Sequence, residues 1–179
     1  MPVSTLSEVF ASDPDSGRLF WRDRPPEHFL TAQAHSIFQS RFAGLEAGLS
    51  VDMSGRRKCA FRLLGRRYAV FRSWVVWALA NGVWPTQELH HRNDVVDDDR
   101  LPNLVEITSA QRRMLTPSQK PVGRGVILRP SGRYHAYIRP GGHSIHLGAF
   151  ASAEEARTAF QKAAQEHFGP LLVGLEFRP

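Results

Sequence analysis

Two adjacent histidines, His90 and His91, are the residues of this chain whose type and spacing best suit chemistry. A neutral histidine binds metal ions, and a histidine with a pKa near the working pH acts as a general base. Neighbouring residues on a strand point to opposite faces, so the two cannot easily ligate one ion. One could face a metal and the other a water, the two functions that phosphodiester hydrolysis needs. The alternative is a half-buried pair with no chemical role.

A short acidic run, Asp97 to Asp99, follows the histidines and lies between two basic blocks. Residues 53 to 87 contain seven Lys or Arg and no acid, and residues 107 to 153 again contain seven and no acid. Such blocks, interleaved with aromatic residues, predict binding to a polyanion, although ordinary solvated surface is the simpler alternative. We interpret Asp97 as part of a solvated acidic loop. An acidic run is tolerable between polyanion-binding blocks if it surrounds a cation.

The composition predicts a folded protein that acts inside the cell. Of the 179 residues, 42% are hydrophobic, which is enough for a packed core. The single cysteine, Cys59, excludes an internal disulfide or a CxxC zinc site. The first ten residues do not resemble a signal peptide, and no apolar run approaches the roughly 18 residues of a membrane span. We therefore expect a cytoplasmic location and no membrane partner.

The first half of the chain predicts mixed, short elements. A short helix precedes turn signals at residues 13 to 17 and a strand at residues 19 to 21, whereas residues 25 to 50 give no clear pattern. Alternation predicts a hairpin over residues 58 to 71 around Gly65, with one apolar face formed by Cys59, Phe61 and Leu63. On this hairpin three arginines are predicted to be available to solvent, namely Arg62, Arg66 and Arg67.

A helix should follow, with Ser73 as its N-cap and Asn81-Gly82 as its end. Residues 88 to 91 predict a short strand, residues 94 to 102 a loop, and residues 103 to 107 a second strand. Thr108 with Gln111 forms a capping box, which predicts that a helix starts at Thr108.

The C-terminal part predicts a small module of its own. Residues 116 to 123 have the composition of a linker, and three short strands follow, separated by glycine-containing turns. Ser152 with Glu155 forms a second capping box, so a helix should run to about His167 and end at Gly169-Pro170. Its apolar stripe consists of Ala156, Ala159, Phe160 and Ala163.

The segment HHRNDVVDDDRLPNLVEIT resembles the motif of phage-type HNH homing endonucleases, which have the ββα-metal (His-Me finger) fold. Three upstream segments resemble the N-terminal half of these proteins, namely DPDSGRLFWRDRP, GRRY and WALANGVWP. The motif matches in register at Glu88, His90, His91, Asn93, Asp98, Arg100, Asn103, Leu104 and Thr108.

The C-terminal module resembles the ethylene-response-factor (APETALA-type) DNA-binding domain through GV…RYHAYIR…IHLGAF…EEA…AF. The two resemblances together imply an α+β protein. They imply a nuclease module with a β-rich N-terminal extension at residues 1 to 115, with its motif at residues 88 to 114. This module would be followed by a linker at residues 116 to 123. The DNA-binding domain, a three-stranded antiparallel sheet plus one helix, would occupy residues 124 to 172.

The resemblance implies a role for each matched residue. His90 matches a metal ligand and His91 the general base that activates water. Asn103 matches the asparagine that holds the loop and orients the base. Asp98 and Arg100 match a segment that shapes the loop and meets phosphate. The implied reaction is hydrolysis of DNA with a single divalent metal, Mg²⁺ first, with Mn²⁺ or Zn²⁺ as alternatives.

The chain departs from the family pattern at the third signature position, which is normally Asn or His and is Arg112 here. A guanidinium is always protonated and cannot ligate a cation. Either Asp98, Asp99 or Gln111 compensates, or catalysis is weak or absent, or Arg112 binds the scissile phosphate. In the C-terminal module the usual tryptophan near the first strand is Leu128.

Two functions therefore remain open at this point. The first is a DNA endonuclease in a bacterial host cell, encoded by a phage or prophage and targeted by the C-terminal module to double-stranded DNA. The second is a non-catalytic DNA-binding protein, a repressor or accessory factor, descended from such a nuclease. No small-molecule substrate is evident. The predicted DNA contacts are Arg62, Arg66, Arg67, Arg100, Arg112, Arg124, Arg129, Arg133, His135, Tyr137 and Arg139.

Overall fold

The computed structural model describes residues 1–115 and 121–168. Within these residues the chain forms short helices and small sheets, which confirms the predicted α+β class. The helices are α1 (Val3–Val9), α2 (Ala32–Arg41), α3 (Arg72–Asn81), α4 (Ser109–Leu115) and α5 (Ala153–Phe168). The strands are β1 (Phe10–Asp13), β2 (Arg18–Trp21), β3 (Glu46–Ala47), β4 (Ser50–Val51), β5 (Arg57–Leu63), β6 (Arg66–Phe71), β7 (Glu88–His91), β8 (Leu104–Ile107), β9 (Val126–Leu128), β10 (Tyr134–Ile138) and β11 (Ile145–Phe150).

The chain divides into two compact units, Met1–Glu106 and Ile107–Pro179. Helix α4 therefore falls in the second unit, whereas the sequence analysis assigned it to the nuclease module. Residues 116–120 of the predicted linker, and the predicted helix stop at residues 169–170, lie outside the described residues.

The core of the first unit forms where α1 and α3 pack together and α3 packs on strands of two three-stranded sheets, β1-β2-β3 and β4-β5-β6. Helix α3 ends as predicted, with Gly82 in the left-handed region at φ 72° and its N–H bonded to the Ala78 carbonyl. Its predicted N-cap was wrong. The helix begins at Arg72, its cap Phe71 offers no side-chain bond, and Ser73 is buried inside the first turn.

The hairpin β5–β6 has the predicted register and faces. Cys59 and Phe61 are buried on one side, in the order that strand alternation requires. Arg62 pairs with Arg67 across the hairpin, and Arg66 pairs with Leu63. All three arginines are exposed, as predicted.

The turn between β1 and β2 supports the loop that follows the two histidines. Gly17 has φ +70°, and a Cβ there would lie 2.4 Å from the Asp99 carbonyl carbon. The Leu101 N–H also donates to the Pro14 carbonyl at 2.8 Å. Only glycine allows the two loops to approach this closely, so the N-terminal hairpin fixes the position of the acidic run.

The second unit contains the predicted three-stranded antiparallel sheet, in the order β11-β10-β9, packed against α5. Ala136 and Ile138 are buried with Phe160 and Ala156 of the helix, which confirms their predicted helix-facing positions. The Thr108–Gln111 capping box forms in both directions, at 2.7 and 3.2 Å. In the second box the Ser152 hydroxyl accepts from the Glu155 N–H.

Among the described residues, no helix combines the length and the apolar character needed to cross a membrane.

Candidate active site and nucleic-acid interface

Strand β7 places the two histidines on opposite faces, as the alternation of a strand requires. His91 lies on the same face as the core residue Leu89 and is only 4% exposed. His90 lies with Glu88 on the other, half-buried face. The two side chains therefore meet different surroundings and are suited to different functions.

His91 is held by a buried chain of charged groups. Its Nε2 lies 2.8 Å from Asp99 Oδ1, and the other carboxylate oxygen accepts from Arg72 Nε at 2.7 Å. Asp99 and Arg72 are only 2% and 5% exposed. Because an ionised carboxylate can only accept, Asp99 fixes the Nε2–H tautomer of His91 and leaves the lone pair on Nδ1.

Arg72 also binds the neighbouring aspartate. Its guanidinium donates to the Asp97 carbonyl at 3.0 Å, and Arg57 forms a second ion pair with the Asp97 carboxylate. The Arg57 contact holds the pKa of Asp97 below its ordinary value, although partial burial opposes it. The interpretation of Asp97 as a plain solvated acid was therefore incomplete, because its exposed side chain ties the loop to β5.

Asn103 holds the loop together through its side-chain amide. Its Oδ1 accepts from the Asn93 N–H at 3.0 Å, and its Nδ2 donates to the Asp98 carbonyl at 2.7 Å. The Asn103 carbonyl in turn accepts from the Arg92 N–H at 2.8 Å. These three hydrogen bonds are contacts of the kind that the loop-holding role implied for Asn103 requires.

The Asp98 carboxylate accepts two hydrogen bonds from the guanidinium group of Arg100, one from Nε and one from Nη2. The two bonds measure 2.7 and 2.6 Å, and Asn93 Nδ2 donates to the same carboxylate at 2.7 Å. These bonds, Arg100 foremost, lower the pKa of Asp98 to about 2. Asp98 and Arg100 therefore shape the loop in the described structure, and both acids named as compensating ligands already have cationic partners.

His90 presents the clearest unsatisfied group of the site. Its Nε2 is buried and has no hydrogen-bond partner among the described residues. The closest carboxylate oxygen in its ion-pair contacts, Asp94 Oδ1, lies 3.7 Å away, beyond hydrogen-bond distance. Burial lowers the pKa of His90, with Asp94 opposing it, so the neutral ring that ligates metals is favoured. One imidazole nitrogen and one carboxylate thus fit part of a divalent-metal site.

Asp98 and Asp99, the other proposed ligands in the first unit, form no metal-binding group with His90 in the described structure. No group of three or more His, Cys, Asp or Glu side chains within residues 1–115 and 121–168 is placed to hold a metal ion. Gln111 completes the capping box and donates to the Phe168 carbonyl within the second unit. Arg112 lies exposed on α4.

An exposed face of the second-unit sheet carries predicted DNA-binding residues. His135 and Tyr137 lie on the face opposite to Ala136, with ring planes 18° apart. Arg129 donates to the Tyr137 hydroxyl at 3.2 Å, and Arg133 to the Ala149 carbonyl at 2.9 Å. We call this surface, together with His146, the sheet face.

His146 was not among the predicted contacts, yet on the sheet face it lies beside His135 and Tyr137. Its Nε2 is 3.2 Å from His135 Nδ1, and its ring centroid is 4.8 Å from that of Tyr137. A bulge after Ala136 shifts the register and brings Tyr137 opposite His146. Gly148, at φ 135°, was the available signal, because a glycine inside a strand indicates a bulge.

Arg72 was the other functional residue that sequence reasoning missed. It stands 27 positions before Asp99, and no local spacing connects the two. Its basic character was counted with the polyanion-binding block, whereas its side chain is buried in the first unit.

No protein-family model matches the chain, and no solved structure gives a significant match. The geometry of the two sites and the motif resemblance are therefore the observations that bear on function.

Proposed function

We propose that the protein is a divalent-metal-dependent DNA endonuclease of the HNH type, targeted to double-stranded DNA by its second unit. The observation that carries the proposal is the pair of histidines on opposite faces of β7. One has a buried Nε2 that no described residue hydrogen-bonds, and the other is held in a fixed tautomer by Asp99. Metal-dependent hydrolysis needs these two kinds of group.

His90 is the proposed metal ligand, with Asp94 as the neighbouring carboxylate. A bound divalent cation would stabilise the charge that develops on the phosphate oxygens. An imidazole nitrogen suits Zn²⁺ or Mn²⁺ better than Mg²⁺, which prefers oxygen ligands, so the metal preference tests this donor set.

His91 is the proposed general base. With Nε2–H donated to Asp99, its Nδ1 is the atom that would take a proton from water, and Asp99 would stabilise the resulting imidazolium. Arg72 acts through Asp99 as a positioning residue, and Asn103 fixes the loop that carries Asp99.

A non-catalytic DNA-binding protein is the second candidate, and a specific observation favours it. His91 is 4% exposed, and both Asp98 and Asp99 are engaged by arginines. The same network would then be purely structural, and the sheet face would provide the function. A protein of either kind would act in the cytoplasm of a bacterial host.

A plasmid-nicking assay separates the two candidates. Supercoiled plasmid is incubated with the full chain and titrated Mg²⁺, Mn²⁺ or Zn²⁺, next to His91→Ala and His90→Ala proteins purified in the same way. Loss of a general base lowers the rate by about 10²- to 10⁴-fold, so nicking should disappear in His91→Ala while DNA binding persists. The second candidate would be favoured if the protein bound DNA in a salt-sensitive way but showed no nicking that His91→Ala abolishes.

A further inference from the structure

A cleft in the second unit adjoins the sheet face and takes no part in the proposed cleavage. Its volume is about 690 Å³, within the range typical of sites for small ligands. Four arginines line it, namely Arg113, Arg124, Arg129 and Arg139, and no acidic residue of the described part of the chain does so. We call it the arginine cleft. Its charge favours an anionic ligand.

Part of the lining of the arginine cleft is apolar. Met114, Ile127 and Phe160 line it beside the arginines. Phosphate alone would satisfy the guanidinium groups, but it would leave this apolar surface uncovered. A ligand that matches the whole cleft has a flat, poorly hydrated part together with an anionic part. A nucleotide has both.

Tyr137 connects the arginine cleft with the sheet face. Tyr137 lines the cleft, and on the sheet face its ring neighbours those of His146 at 4.8 Å and His135 at 6.4 Å between centroids. The three rings are tilted by at most 36° from one another. Aromatic rings on an open sheet with arginines beside them are the usual arrangement of surfaces that stack unpaired bases.

Paired DNA would leave the rings and the cleft unused, because its bases are stacked inside the duplex and only their edges reach the grooves. We propose that the sheet face and the arginine cleft bind a DNA strand with unpaired bases, one of which enters the cleft while neighbouring bases lie on the rings. The proposal depends on the proposed DNA binding but not on cleavage. It names unpaired DNA as a substrate class in addition to the duplex.

Fluorescence anisotropy of the full chain tests the proposal at a fixed salt concentration. Three labelled DNAs of equal length are compared: a single strand, a matched duplex, and the duplex with a short unpaired bulge. Because a stacked base contributes roughly tenfold in affinity, the single strand and the bulged duplex should bind about tenfold more tightly than the matched duplex. Tyr137→Leu should lower this preference to about twofold or less.

Tyr134→Leu is the matched control. Tyr134 lies on the same strand but packs with the buried cluster of Val126, Ala136 and Ala156, so the substitution removes a ring without altering the sheet face. Circular dichroism shows whether each variant is folded. The control should keep the preference for unpaired DNA even if its stability falls.

Two results would overturn the inference. The first is equal affinity for all three DNAs, and the second is equal loss of preference in both tyrosine variants. Tight duplex binding without a preference for unpaired bases would overturn this inference and leave the proposed function intact. Absence of binding to any DNA would contradict both.

Discussion

The hairpin loop, residues 92 to 103, and the sheet face both contain or meet several arginines, but they differ in what those arginines contact. At the loop, each of three arginines meets a different aspartate: Arg57 with Asp97, Arg100 with Asp98, and Arg72 with Asp99. At the sheet face, by contrast, Arg129 donates to the Tyr137 hydroxyl and Arg133 to the Ala149 carbonyl, both uncharged groups. A basic block in a sequence therefore has two meanings. In the first unit it partly neutralises an acidic run, and in the second we propose that it meets a DNA partner.

The largest effect should follow from breaking the buried pair of the loop. Asp99→Ala removes the carboxylate from Arg72 and His91 and leaves a buried guanidinium without its principal partner, so we expect a loss of about 3–5 kcal/mol in the free energy of unfolding. All four tryptophans lie in the first unit, so tryptophan fluorescence during urea unfolding reports on that unit alone.

Asp97→Ala is the matched control, since it removes a carboxylate two residues away that is 45% exposed. It should cost no more than about 1 kcal/mol. Equal losses in the two variants would remove the distinction between the buried and exposed pairs of the loop.

Salt dependence of DNA binding sharpens the comparison between the two regions. Each phosphate neutralised contributes about 0.9 to the slope of log K against log salt, so Arg129→Gln and Arg133→Gln should each reduce the slope by about that amount. Arg57→Gln removes the same charge from a residue that faces Asp97, and the slope should not change. A fall in slope for Arg57→Gln as well would mean that both basic blocks contact phosphate.

Acid should weaken the first unit through the loop. Arg100 lowers the pKa of Asp98 to about 2, below the ordinary value of about 3.9. A carboxyl with a lowered folded pKa stabilises the fold above its unfolded pKa, and this stability is lost as the pH falls from about 4 towards 2. Because solvent screens the pair, we expect a contribution of about 1 kcal/mol. Urea unfolding at several pH values should show this decline, and Asp98→Asn should reduce it.

Sequence reasoning succeeded where neighbours in the chain determine the structure. The capping box of Thr108 and Gln111, the helix end at Gly82 and the buried positions Ala136 and Ile138 all depend on residues within a few positions of one another. Local backbone preferences and strand alternation are sufficient for such features.

Reasoning from the sequence failed where distant residues meet. Arg72 reaches Asp99 across 27 positions. His28, which sequence patterns left unexplained, is buried with its Nε2 2.9 Å from Glu8, 20 positions earlier. Such pairs form because whole helices and strands pack together. The spacing of residues along the sequence does not show which distant residues will meet. The catalytic roles of His90 and His91 stay predictions.

The smallest effect should come from the exposed pair of the loop. In a double-mutant cycle with Arg57→Met and Asp97→Ala, the coupling free energy should be about 0.2–1 kcal/mol, because the side chains are 26% and 45% exposed and water competes for both charges. The corresponding cycle at Arg72 and Asp99 should give a larger coupling, since those side chains are 6% and 2% exposed. Raising the ionic strength to about 1 M shortens the screening length to about 3 Å and should weaken the exposed coupling more than the buried one. If urea unfolding followed by tryptophan fluorescence gave equal couplings with equal salt dependence, burial would not be what separates the two pairs.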